Sequence, residues 1–291
     1  MSTPENQPAH LRSVAETLAG EAAAFVRRRR SEVFGADAGA GDDAAVRTKT
    51  TPTDPVTVVD TETERLLRDR LAQLRSGDAV VGEEIGGPTD PATSAAGAVT
   101  WVLDPIDGTV NFVYGIPAYA VSVAAQVNGE SVAGAVADVV GDRLYSAATG
   151  LGAQVVDADG ARALRCSAVD DLSLALVGTG FAYSGLRRTA QAELVSKMLP
   201  SVRDVRRIGS AALDLCMVAA GRLDAYYEHG LKVWDCAAGA LIAAEAGARV
   251  LLPEPGDPER NAAVVVAAAP GIADELLARL AEFDGLAPIP G

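Results

Sequence analysis

Cysteine is scarce in this chain of 291 residues: there are three, Cys166, Cys216 and Cys236, far apart and each among apolar neighbours. No CxxC pair occurs, so neither a disulfide framework nor a thiolate zinc site is supported, and a reducing, cytoplasmic compartment is expected. The two histidines, His10 and His229, are too distant in sequence to suggest a zinc pair. Aromatic residues make up only 4%, and basic residues are outnumbered, 25 Lys+Arg against 39 Asp+Glu, for a formal net charge of −14. A surface of that sign repels nucleic acid and anionic membrane, which disfavours direct nucleic-acid binding unless a concentrated patch overrides the average. The run Arg27–Arg30 reads as a solvated helix end rather than such a patch. No uncharged apolar run reaches membrane-spanning length, and the first residues, MSTPENQPAHLRSVAE, lack the basic-then-apolar order of a signal peptide.

What is present is ample material for a core: 49% hydrophobic residues and 29 glycines, in a length that fits one large domain or two small ones. Residues 11–34 carry apolar side chains at helical spacing and are expected to form an amphipathic helix, followed by a small, polar loop at 35–48. The β-branched VTVV then leads into Asp60, which reads as the N-cap of a helix. AVVGEE (79–84) and AVTWVLD (98–104) read as strands, and apolar stretches at 119–127, 131–139 and 143–148, parted by glycine turns, as an antiparallel meander. From about residue 165 strands and helices alternate, with helices expected over 187–199, 210–220, 234–246 and 270–283. The expectation is an α+β half, 1–164, followed by an α/β half, 165–291, in one compact unit.

Five acids sit at ends of these elements: Asp60, Glu83, Asp104, Asp107 and Asp235. Each has a structural reading alone, Asp235 as a helix N-cap and Asp104 and Asp107 as turn formers. Together they suggest hard-cation ligands, because Mg²⁺ takes carboxylates, a main-chain carbonyl and waters. In WVLDPIDGTVNF (101–112), Asp104 and Asp107 flank the carbonyl of Ile106, and Pro105 stiffens the turn. Gly108 and Thr109 then offer backbone amides where a helix could begin, a place for a phosphate oxygen. Acids for metals beside amides for an anion is the combination that metal-assisted phosphate ester hydrolysis requires.

At this point the chain resembles the inositol monophosphatase family, in particular its bacterial inositol-1-monophosphatases. KTTPTDPVTVVDTETE, GEE, WVLDPIDGTVNF and WDCAAGALIAAEAGA match four of its motifs in order, with lesser matches at RRIGSAALDLCMVAAG and DAYYEHG, so that residues 11–285 are covered. The resemblance implies a layered α-β-α-β-α sandwich of the sugar-phosphatase type, an antiparallel half followed by a mixed-sheet half. It implies a Mg²⁺-dependent phosphomonoesterase acting on myo-inositol 1-phosphate, with two to three ions per site. Glu83, Asp104 and the Ile106 carbonyl would hold the first ion, and Asp104, Asp107 and Asp235 the second. Glu83 would touch a third. Thr109, backed by Asp60, would orient the attacking water, with Glu83 part of the same catalytic set. Gly108 and Thr109 would hold phosphate, and Asp107, Ser210, Ala211 and Glu228 would face the sugar or inositol hydroxyls. Glu228 is the best candidate for specificity, since a carboxylate can accept from vicinal hydroxyls.

The same resemblance implies a homodimer, inhibition by lithium, and a Lys49 near the mouth of the site. It also leaves open fructose-1,6-bisphosphatase, histidinol-phosphate phosphatase or nucleotide 3′-phosphatase activity, and a non-catalytic role as an accessory factor in transcription. Two positions depart from the family's pattern, Val110 in place of a second threonine and Ala248 in place of a glycine. Trp101 and Trp234 are expected in the core, His229 could line the pocket, and Glu84 is expected behind or outside the ligand set. Arg206 and Arg207 could serve a substrate mouth or merely meet solvent.

Overall fold

The computed structural model describes residues 6–35, 46–49, 55–87, 97–254, 256–257 and 259–291. Helix α1 (Pro8–Phe34) buries Leu11, Val14, Ala15, Leu18, Ala22 and Val26, steps of three and four that make one apolar stripe. Most of the loop expected at 35–48 lies outside the described residues. Its last part, Val46–Thr48, forms strand β1, antiparallel to β2 (Pro55–Thr57).

Helix α2 (Val58–Leu74) follows at once, and its start differs from the sequence reading. Thr57, not Asp60, is the N-cap: its hydroxyl accepts from the amides of Val59 and Asp60. Asp60, at the third helical position, accepts the Thr57 amide in return at 2.8 Å, which completes a capping box. VTVV is therefore divided, two residues closing the strand and two opening the helix.

One seven-stranded sheet runs in sequence order through β3 (Ala79–Gly82), β4 (Val99–Asp107), β5 (Ala120–Val127), β6 (Glu130–Asp138), β7 (Arg143–Ala148), β8 (Ala153–Asp157) and β9 (Gly160–Ala163). The short helix α3 (Thr109–Tyr114) follows β4. The meander is antiparallel as expected, but β3 runs parallel to β4. Strands β8 and β9 extend it beyond the sequence reading; every residue of β9 is exposed, so that strand shows no alternation. Along β5, Ala120 and Ala124 enter one core while Val121, Val123 and Ala125 enter another.

The second half comprises β10 (Leu176–Thr179), α4 (Gly185–Met198), β11 (Asp204–Arg206), α5 (Ala211–Ala219), β12 (Ala225–His229), α6 (Val233–Glu245), β13 (Arg249–Leu251), β14 (Val264–Ala268) and α7 (Ala273–Glu282). Its strands form a mixed sheet of order β11-β10-β12-β14-β13. Helices α1 and α2 cover the outer face of the first sheet. Leu194 and Met198 of α4 with Leu276 and Leu280 of α7 cover the outer face of the second. Between the sheets lie α5 and α6, in a core that draws residues from both. This is a layered α-β-α-β-α sandwich.

The composition of α6 follows from its place. A helix between two sheets is apolar nearly all round, and its small residues let neighbours approach closely. A Cβ on Gly239 would lie 2.9 Å from Leu215 Cβ, so α5 and α6 pack at a separation only glycine allows. Asp235 is again not the N-cap. Lys232 holds that position, and Asp235 Oδ2 accepts its amide at 2.6 Å. Among the described residues no helix is long and apolar enough to cross a membrane.

Candidate active site

The ends of β3, β4 and β12 and the first turns of α3, α5 and α6 enclose a cleft of about 460 Å³. Glu83, Asp104, Ile106, Asp107, Gly108, Thr109, Ser210, Ala211, Glu228 and Asp235 all line it. Asp60 does not; it is fully buried behind Thr109.

Two residues three apart on a strand should face opposite ways. Asp104 and Asp107 avoid this because β4 bulges between them: Asp104 pairs with Ser122 and Asp107 with Ala120, three residues against two. The extra residue turns both carboxylates to one side. There they meet Asp235, and the three offer oxygens that all lie within 4.8 Å of one another. Glu83 lies in the same cleft but outside that close trio.

The electrostatics are those of crowded anions. Burial first, then the charges of Glu83, Asp107 and Asp235, push the Asp104 carboxyl well above the carboxylate range. Burial followed by Glu83 and Asp107 does the same to Asp235. Asp107 rises only to about 6, because hydrogen bonds to its charged form oppose burial. Ser210 Oγ donates to Asp107 Oδ2 at 2.5 Å and the Ala212 amide at 2.7 Å. Ser210 is also the N-cap of α5, receiving the Leu213 amide, so one serine ties the two halves together at the site.

Behind the trio, Thr109 Oγ1 lies 3.2 Å from Asp60 Oδ1 and 3.0 Å from the Ile106 carbonyl, both acceptors for its single proton. Burial raises Asp60 to about 7 against the opposing Thr57 hydrogen bonds. Gly108, with φ of +93°, makes this corner possible: a Cβ there would lie 2.9 Å from the Ala118 carbonyl oxygen.

Lys49 stands at the mouth and pairs with Glu83 at 2.8 Å and Glu84 at 2.5 Å. Beneath the Glu83–Glu84 turn lies Glu64, which no motif in the sequence singles out. It is fully buried, and its carboxylate accepts the Glu84 amide at 2.6 Å, the Ile85 amide at 3.2 Å and Arg68 Nε at 2.8 Å. The signal was faint: Glu64 lies four residues after Asp60 on α2, on the same face.

Toward the open side, Glu228 shares the cleft with Arg207, whereas Arg206 is exposed and paired with Asp204. Trp101 is buried in the core, its indole N–H donating to Asp78 Oδ2 at 2.9 Å. Trp234 differs from the expectation, since one side packs on the core and the other lines the cleft. His229 also borders the cleft, although it is itself buried. Ala248 packs in the core between the sheets.

The profile of the inositol monophosphatase family matches residues 7–285. The chain belongs to the inositol monophosphatase family. It is 73% identical to an inositol-1-monophosphatase of Mycobacterium leprae over 99% of both chains. It is 70% identical to the inositol-1-monophosphatase SuhB of Mycobacterium tuberculosis over the whole of both. The solved structure of Mycobacterium tuberculosis SuhB superposes with a TM-score of 0.82, covering 97% of this chain and 99% of that one. An inositol monophosphate-bound staphylococcal relative, 27% identical, superposes with a TM-score of 0.72 over 94% of this chain and 96% of its own. Membership makes the chain a phosphatase, a phosphoric monoester hydrolase, and the cleft its active-site candidate.

Proposed function

We propose that this phosphatase hydrolyses myo-inositol 1-phosphate to myo-inositol and phosphate with the help of Mg²⁺. The observation that carries the reading is the convergence of Asp104, Asp107 and Asp235 within 4.8 Å, beside Gly108 and Thr109. Their donor set is all hard oxygen, and burial together with neighbouring carboxylates pushes Asp104 and Asp235 well above the carboxylate range, the state a divalent cation would relieve. Glu83, Asp104, Asp107, Asp235 and the Ile106 carbonyl would hold two to three ions. When bound, these would neutralise the phosphate ester's charge and make water a stronger nucleophile.

The chain's own groups do the rest. The Thr109 hydroxyl, donating to Asp60 or to the Ile106 carbonyl, keeps its lone pairs for a water in the cleft and thereby aims it at phosphorus. Gly108 and Thr109 would anchor the phosphate. Asp107 is fixed by Ser210 and Ala212, so its position and that of α5 change together. Asp107, Ser210, Ala211 and Glu228 would meet the alcohol portion. In this reading residues 1–164 supply most ligands and 165–291 complete the site. Lithium inhibition at the second ion position, a homodimer and a cytoplasmic location belong to the same proposal.

Initial rates at fixed Mg²⁺ on myo-inositol 1-phosphate, fructose 1,6-bisphosphate, histidinol phosphate and a nucleoside 3′-phosphate test it. The inositol ester should give the largest kcat/KM. A much larger value for any other would end the assignment, because the ligand acids alone serve any well-placed phosphate ester.

A further inference from the structure

Strand β10 carries the sequence LVGT and is followed by Gly180, so two glycines stand two residues apart on one face. β12 lies parallel beside it, with Gly178 opposite Tyr226 and Thr179 opposite Tyr227. Continuing that register puts Gly180 beside Glu228. Tyr226 and Glu228 are also two apart and face the same side. A Cβ added at Gly180 would stand 1.8 Å from Glu228 Oε2 and 2.5 Å from Oε1. One added at Gly178 would stand 3.2 Å from Tyr226 Cδ2 and 3.0 Å from Asp214 Oδ1. The glycine face of β10 is therefore a trough without side chains, and the Glu228 carboxylate lies in it.

Within the trough the carboxylate is held from one end. The Tyr226 hydroxyl donates to Glu228 Oε2 at 2.5 Å. Tyr226 is fully buried, and burial with the nearby charges of Glu228 and Asp214 holds its phenol well above its ordinary range, so it stays a donor. Asp214 is buried behind it, its Oδ1 lacking a hydrogen-bond partner, and Arg207 is the cation whose charge reaches both carboxyls. Oε2 is thus committed to the protein, and the structure gives Oε1 no protein partner among the described residues.

We propose that Tyr226 and Gly180 are specificity-positioning residues. They fix Glu228 so that Oε1 faces the alcohol portion of the substrate, and the cleft selects phosphate esters of polyols that place a hydroxyl there over esters that carry none. This rests on the reading of Glu228 as a substrate contact and adds what aims it. A polyol hydroxyl finds a pre-oriented acceptor oxygen. An alcohol portion without one buries that oxygen unpaired.

Tyr226→Phe removes one oxygen and keeps the ring, which makes it the clean test. The measured quantity is the ratio of kcat/KM for myo-inositol 1-phosphate to kcat/KM for 4-nitrophenyl phosphate, with KM and kcat resolved for each. We expect the ratio to fall about tenfold, mostly through KM for the inositol ester, the size of one hydrogen bond. Gly180→Ala should shift the ratio the same way, and thermal midpoints of both variants check folding. A Tyr226→Phe ratio equal to that of the parent overturns the proposal, whether both rates fall together or neither does. Glu228→Gln separates the two levels. If it lowers the ratio while Tyr226→Phe does not, only the positioning role fails. If neither lowers it, the substrate-contact reading of Glu228 falls with it.

Discussion

Replacing Glu64 by glutamine changes one oxygen to an NH₂ group under the turn that presents Glu83. The carboxylate now accepts the Glu84 amide, the Ile85 amide and Arg68 Nε, and it has no exposure to water. Gly82 leaves no slack, since a Cβ there would lie 2.1 Å from Glu64 Oε1. A glutamine amide cannot accept at both ends, so either a backbone amide or Arg68 loses its acceptor. A charge-assisted hydrogen bond is weakened and a buried donor is left unpaired, together about 3 kcal/mol. For a chain of 291 residues that corresponds to roughly 5 °C in thermal midpoint. Circular dichroism melts in EDTA measure this stability effect. Melts and initial rates across a Mg²⁺ titration measure the second consequence, a higher half-saturating Mg²⁺ as the Glu83 turn loosens. A midpoint within about 2 °C of the parent, with an unchanged Mg²⁺ dependence, would refute the view that Glu64 braces this turn.

Three further outcomes are expected. Mg²⁺ at about 100 times its dissociation constant should stabilise the fold by about 2.7 kcal/mol over EDTA, and Asp104→Asn should abolish turnover and most of that gain; a midpoint indifferent to EDTA would contradict the metal site. Any in vivo role that survives Asp104→Asn is the accessory, non-catalytic one. Gly108→Ala forces a Cβ against the Ala118 carbonyl at positive φ, a strain of about 1–3 kcal/mol, visible as a lower urea midpoint. His229 is held neutral by burial, its pKa lowered to about 4 from 6.5, despite contacts with the 285 and 287 backbone. Between those values the native state binds fewer protons than the unfolded chain, so this contribution is full above pH 6.5 and is lost as pH falls toward 4. His229→Asn should therefore flatten the acid limb of stability by up to about 3 kcal/mol, and an equally steep limb would show that His229 stays charged or exposed.

The sequence alone determined what depends on neighbours along the chain. The stripe of α1 and the alternation of the meander follow from periods of 3.6 and 2, which any residue window carries. The acids at strand and helix ends, with the Gly108–Thr109 corner, were legible as motifs whose residue types already state their chemistry. The helix starts were legible only to within three residues, because Thr57 and Asp60 are both capping residues and the geometry of the box chooses between them. The tertiary structure decided what depends on residues far apart. Asp104 and Asp107 share a side because β4 bulges against β5, and Ser210 reaches Asp107 across 103 positions of sequence. Glu64 became a brace, Lys49 a partner of Glu83, and Glu228 the occupant of a glycine trough through register with another strand. None of these has a local signature, since each arises where packing sets the distance between two segments rather than where either segment's own pattern does.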